Sequence, residues 1–84
     1  MATPAHLQIL QQGVETWNQW RDRHRALRPD LSRADLSGAN LTETTLTGAN
    51  LSHVQLFETV FGDTDFTAVQ GLKDLWYQID YFER

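Results

Sequence analysis

Large apolar residues recur at every fifth position through the middle of the chain. Leu31, Leu36, Leu41, Leu46, Leu51, Leu56, Phe61 and Phe66 keep this interval without a miss. Two residues before each stands proline or a small or β-branched residue: Pro29, Ala34, Ala39, Thr44, Ala49, Val54, Thr59 and Thr64. The positions between are mostly Asp, Asn, Thr or Gln. Each step of five rotates about 140° on an α-helix, which scatters the leucines around the axis. On a flat strand an odd step alternates faces, so half of them point outward. A single apolar column requires a backbone that turns once per five residues and winds around its own leucines. The abundant Ser, Thr, Asn, Asp and Gly suit repeated turns, because these side chains bond local backbone groups or relax φ.

The flanks follow a different period. Leu7, Leu10, Val14, Trp17 and Trp20 form an amphipathic helical stripe, with Thr3 and Pro4 as N-cap and first turn. Pro29 disfavours helix at Arg28 and ends the segment. Its missing N–H suits a first coil with no neighbour below. After Gly71, the residues Leu72, Leu75, Trp76, Ile79 and Phe82 again have helical spacing and predict a short C-terminal helix. Three regions follow: an N-terminal helical cap (1–28), a repeat region (29–70) and a C-terminal cap or association segment (71–84). Caps are expected physically, since each end of a stack of coils exposes unpaired backbone and open core. The expected structural core is Leu31, Leu36, Leu41, Leu46, Leu51, Leu56, Phe61 and Phe66 with Ala34, Ala39 and Ala49. The expected capping residues are Leu10, Val14, Trp17, Trp20, Leu75, Trp76 and Ile79.

The repeat units resemble the pentapeptide-repeat family, whose unit reads A(D/N)LXX. ADLSG (34–38), ANLTE (39–43) and ANLSH (49–53) match it. TTLTG (44–48) and VQLFE (54–58) are looser copies, and TVFGD (59–63) and TDFTA (64–68) depart further, with Phe for Leu. The leader HLQILQQGVETWNQW (6–20) resembles that of bacterial, often cyanobacterial, pentapeptide proteins. The resemblance implies a β-solenoid: a right-handed quadrilateral β-helix of about two coils, four units per coil, with the large and small residues of each unit pointing inward.

Composition narrows the function. The 84 residues are 40% hydrophobic and 21% charged, with no cysteine, no apolar run long enough for a membrane span and no secretory signal pattern. A cytoplasmic chain is expected. The net charge of −4 argues mildly against nucleic-acid binding. It is unevenly spread: Arg21, Arg23, Arg25 and Arg28 outweigh Glu15 and Asp22 in the leader, whereas Arg33 is outnumbered by Asp30, Asp35, Glu43, Glu58, Asp63 and Asp65 in the repeats. The leader arginines sit near a helix C-terminus, where cations are favoured without any ligand.

No catalytic, cofactor-binding or metal-binding residues are expected. His6, His24 and His53 are far apart, and GDTDF (62–66) lacks calcium-loop spacing. The chain reads as a non-enzyme without a small-molecule substrate. Coil geometry stacks residues twenty apart, giving a basic row (Arg33, His53, Lys73), an acidic row (Glu43, Asp63), and Glu58 above Gly38. Two outward positions break the polar rule: Phe57, where earlier units have Ser or Thr, and Val60, where they have mostly Asp or Asn. They mark a candidate interaction patch, for a second copy of the chain or another protein, unless the C-terminal segment folds over them. The expected function is a protein-interaction or scaffold module. Alternatives are a DNA mimic, as among gyrase-protecting members of the family, and a targeting or assembly module of a larger signalling system. Two coils rise only about 10 Å at ~4.8 Å per layer, which spans few base pairs and weighs against mimicry.

Overall fold

The computed structural model describes residues 1–71. The expected C-terminal helix, together with Leu72, Lys73, Leu75, Trp76, Ile79 and Phe82, lies outside the described residues.

The leader forms two helices, α1 (Pro4–Gln11) and α2 (Val14–Arg23). The apolar stripe is continuous in sequence but the helix is not. Gly13 adopts φ 119° and ψ 160°, a conformation glycine tolerates, and breaks the path between the two. Pro4 opens α1, but the Thr3 hydroxyl makes no capping bond; the backbone N–H of Thr3 donates instead to the Asp30 carbonyl (2.9 Å). α2 stops at Arg23, five residues short of Arg28. The connection to Pro29 is held by the Arg21 guanidinium, which donates to the carbonyls of Leu27 (2.7 Å), His24 (3.3 Å) and Thr47 (2.8 Å).

From Asp30 onward the backbone repeats a five-residue unit. Each large residue opens a turn closed by an N–H three positions later, as in Ala34 N–H to Leu31 carbonyl (3.1 Å) and Ala49 N–H to Leu46 carbonyl (2.9 Å). The third residue of every turn has positive φ: Arg33, Glu43, His53, Glu58, Asp63 and Ala68 lie at 55–63°, Gly38 and Gly48 at 75° and 72°. Positive φ at this position alone defines type II turns. Six of the eight are not glycine, at a cost of about 1–2 kcal/mol each.

Turns are followed by single bridging residues. Asp30, Asp35, Asn40, Thr45 and Asn50 pair in parallel with Asn50, Gln55, Val60, Asp65 and Gln70. The chain thus passes over itself every twenty residues, and residues 30–49 and 50–70 form a first and a second layer. Fourteen backbone hydrogen bonds of 2.7–3.0 Å join residues nineteen or twenty-one positions apart along this winding. Among the described residues no strand longer than one bridging residue forms. A turn every five residues leaves no room for one, so the expected β-structure is present only as isolated bridges.

The core is the apolar column. Leu31, Leu36, Leu41, Leu46, Leu51, Leu56 and Phe61 are buried, as are Ala34, Ala49 and Val54. Ala39 and Phe66 differ from the expected full burial: both pack against the core but remain half-exposed. Ala39 lies where the leader leaves the first layer uncovered. Phe66 belongs to the last turn of the second layer and leans on Phe61 (ring centroids 5.4 Å). At position 71 the five-residue register would place a ninth large residue. A Cβ there would come within 2.7 Å of Ser52 Cα and N, and φ is 84°, so the slot takes glycine.

Stacking also fixes the inner hydroxyls. Thr59 and Thr64 donate to the carbonyls of Leu36 (2.8 Å) and Leu41 (2.7 Å), twenty-three residues back. The same reach from Thr44 ends inside α2, and its buried Oγ1 has no partner among the described residues. Thr44→Val should therefore stabilise the protein by about 1 kcal/mol, and Thr59→Val should destabilise it by a similar amount. Urea unfolding followed by tryptophan fluorescence checks this pair; equal effects of the same sign would contradict the stacking assignment.

Candidate interaction surface

Most bridging positions are polar for a local reason. The side-chain oxygen of Asp30, Asp35, Asn40, Asn50 and Asp65 accepts the N–H two residues ahead, at 2.9–3.1 Å, bracing the turn that follows. Asp30 and Asn40 also accept the hydroxyls of Ser32 (2.7 Å) and Thr42 (2.6 Å). Bonds to the charged form hold three carboxyls below the usual carboxylate range: the Ser32 hydroxyl and N–H at Asp30, the Ser37 N–H at Asp35, the Thr67 side chain and N–H at Asp65.

Val60 occupies a bridging position and cannot make this bond. Phe57 occupies the second position of the preceding turn. The two side chains are 51% and 56% exposed, against near-complete burial of Leu56 and Thr59 beside them. A concavity of about 570 Å³ lies at Val60, lined also by Phe61, Phe66, Glu58 and Asp63 among others. Among the described residues no Lys or Arg lines it. The surface is therefore apolar with an acidic border.

The expected rows are aligned by the bridges. His53 follows the Ser52 carbonyl that accepts from Arg33 N–H, Asp63 follows the Gly62 carbonyl that accepts from Glu43 N–H, and Glu58 follows the Phe57 carbonyl that accepts from Gly38 N–H. All are exposed except at their backbones. Lys73 lies outside the described residues.

The capping residues divide. Leu10 is buried, Trp17 fully so, and Val14 and Trp20 are half-buried. Trp20 stacks between His6 (5.2 Å), Trp17 (5.1 Å) and His24 (5.3 Å). Polar leader residues that sequence reasoning passed over do much of the sealing. Trp17 Nε1 donates to the Thr45 carbonyl (2.8 Å), Thr45 N–H donates to Asn18 Oδ1 (2.8 Å), and Asn18 Nδ2 donates to the Glu43 carbonyl (2.8 Å). Asp30 N–H donates to His6 Nδ1 (3.0 Å). Arg21, grouped by sequence with the other leader arginines, is only 4% exposed and serves the connection to Pro29. A signal for it existed: Arg21 falls four residues after Trp17, on the helix face that packs inward. Burial lowers its pKa.

Comparison with known proteins fits the repeat geometry. Residues 30–63 match the family model for pentapeptide repeats, in eight copies. This segment, 34 of the 84 residues, resembles the pentapeptide-repeat family. No curated protein and no solved structure matches it. Among the described residues of this chain, no His, Cys, Asp or Glu cluster has metal-holding geometry, and no helix is long and apolar enough to cross a membrane.

The three depressed carboxyls set an acid response. Their stabilising contribution is fully present above the unfolded value of about 3.9 and is lost as pH falls through the lower folded values. Replacing Asp30, Asp35 and Asp65 together by Asn keeps an Oδ1 acceptor, as Asn40 and Asn50 already provide. The variant should fold at neutral pH and lose less thermal stability than wild type between pH 5 and about pH 3. Melting by circular dichroism across that range checks it; parallel curves would remove the carboxyls from the account.

Proposed function

We propose that this chain is a non-enzymatic scaffold or protein–protein interaction module that self-associates through Phe57 and Val60. In this reading residues 29–70 wind as a right-handed quadrilateral β-helix of about two coils. The twenty-residue pairing interval, with four turns per interval, supports that winding. The match of residues 30–63 to pentapeptide repeats supports a binding role.

The carrying observation is the exposure of two large apolar side chains on neighbouring faces of a surface whose other bridging positions are polar. Val60 cannot accept the N–H that Asp or Asn accepts elsewhere, and Phe57 stands where Ser32 and Thr42 donate a hydroxyl to the Asx oxygen, so neither side chain braces a turn. Burying them against a second copy removes apolar area from water at about 25 cal/mol per Å². The acidic border of Glu58 and Asp63 keeps the patch discrete and limits nonspecific collapse.

Light scattering on wild type and on Phe57→Asp tests this. Wild type should show a mass near twice 9.7 kDa that falls to the monomer on dilution. Phe57→Asp should be monomeric at all concentrations with its unfolding free energy within about 0.5 kcal/mol of wild type, since the site is exposed. A monomer in both proteins would overturn self-association.

A further inference from the structure

The lower edge of the first layer is only half sealed. In the parallel ladder, both backbone groups of a bridging residue face one way and those of its neighbours face the other. Leu31 N–H, Leu36 N–H, Leu41 N–H and Leu46 N–H all bond upward to the second layer, so Asp30, Asp35, Asn40 and Thr45 direct their own groups downward. The leader satisfies two of these four. Asp30 bonds Thr3 and His6, and Thr45 bonds Trp17 and Asn18. Asp35 and Asn40 have no partner for backbone N–H or C=O among the described residues.

Asn40 borders a groove between the helices and the first layer. One part, about 220 Å³, is lined by Leu10, Val14, Leu36, Ala39 and Leu41. The adjoining part, about 520 Å³, shares Val14 and Asn40 with it and carries Glu15, Asp22 and Glu43, with no lysine or arginine among the described residues.

We propose that this groove binds a short extended peptide from a protein partner, which adds a bridge beneath Asn40 and carries an apolar residue followed by basic ones. The surface is separate from Phe57 and Val60, and the proposal does not rest on self-association. The ladder itself specifies the peptide. A residue pairing below Asn40 in parallel places its neighbours beneath Ala39 and Leu41, as Thr59 and Phe61 are placed above them. A small and a large apolar side chain fit there, and continuing in the same direction brings the following residues to Thr42 and Glu43. Main-chain bonds and side-chain pockets together are the ordinary means by which a sheet edge captures a strand. A whole layer from a second copy cannot stack there, because α1 and α2 occupy the other half of the edge.

The probe is the capped peptide acetyl-Ala-Asn-Leu-Lys-Lys-amide, titrated into 15N-labelled protein and followed by NMR. The amides of Asn40, Leu41 and Glu43 should shift and saturate, and sodium chloride should weaken binding. The double variant Glu15→Lys, Glu43→Lys should bind about fivefold or more weakly, the effect of reversing two exposed charges, with its melting temperature recorded to confirm folding. The control peptide ending in Glu-Glu should bind at least as weakly. Shifts confined to other residues, no shifts at millimolar peptide, or equal binding of both peptides would overturn the proposal. So would Asp35 and Asn40 shifts that appear on concentrating the protein alone, which would assign the edge to a second copy.

Discussion

A peptide group that leaves water must find a hydrogen-bond partner, and in this chain that partner lies twenty residues away. Each bridging residue is isolated in its own layer. Its N–H and C=O can be satisfied only by the layer next to it, by a side chain or by solvent. The interval between paired residues, the direction of the leucines and the need for a seal below the first layer all follow. Trp17 fills the open end of the column, while its indole N–H and the Asn18 carboxamide imitate a missing layer beneath Thr45.

The same constraint explains the tension at the turns. Closing a circuit in twenty residues requires a left-handed residue in each turn, and only Gly38 and Gly48 meet that requirement freely. Arg33, Glu43, His53, Glu58, Asp63 and Ala68 adopt it because the bonds above and below leave no other route. Asx side chains compensate by bracing the turn from its first side. Gln55 and Val60, whose side chains show no such brace, flank the turn where Phe57 is exposed, so loss of the local brace and gain of apolar surface coincide at one corner.

Much of this was legible in the residues. The fivefold spacing alone implies stacking, because no helix or flat strand puts Leu31 through Phe66 in one column. The break of the rule at Phe57 and Val60 was equally visible. The division of the leader into α1 and α2 was not, since its apolar stripe runs unbroken past Gly13, and one glycine inside a helical pattern does not dictate a break. The roles of His6, Asn18 and Arg21 were hidden for another reason. They depend on which first-layer carbonyls and amides remain unpaired, a property of the assembled edge that no local pattern encodes. For the same reason the half-sealed edge at Asp35 and Asn40 could not be anticipated.

The stacking interval is accessible directly. Scalar couplings across hydrogen bonds, measured on 15N,13C-labelled protein, connect an amide nitrogen to the carbonyl carbon it donates to. The account predicts couplings from Leu31 to Asn50, Leu36 to Gln55, Leu41 to Val60 and Leu46 to Asp65, nineteen residues apart in every case. Couplings from these amides to carbonyls four residues earlier, or amides that exchange with solvent too fast to observe, would contradict it.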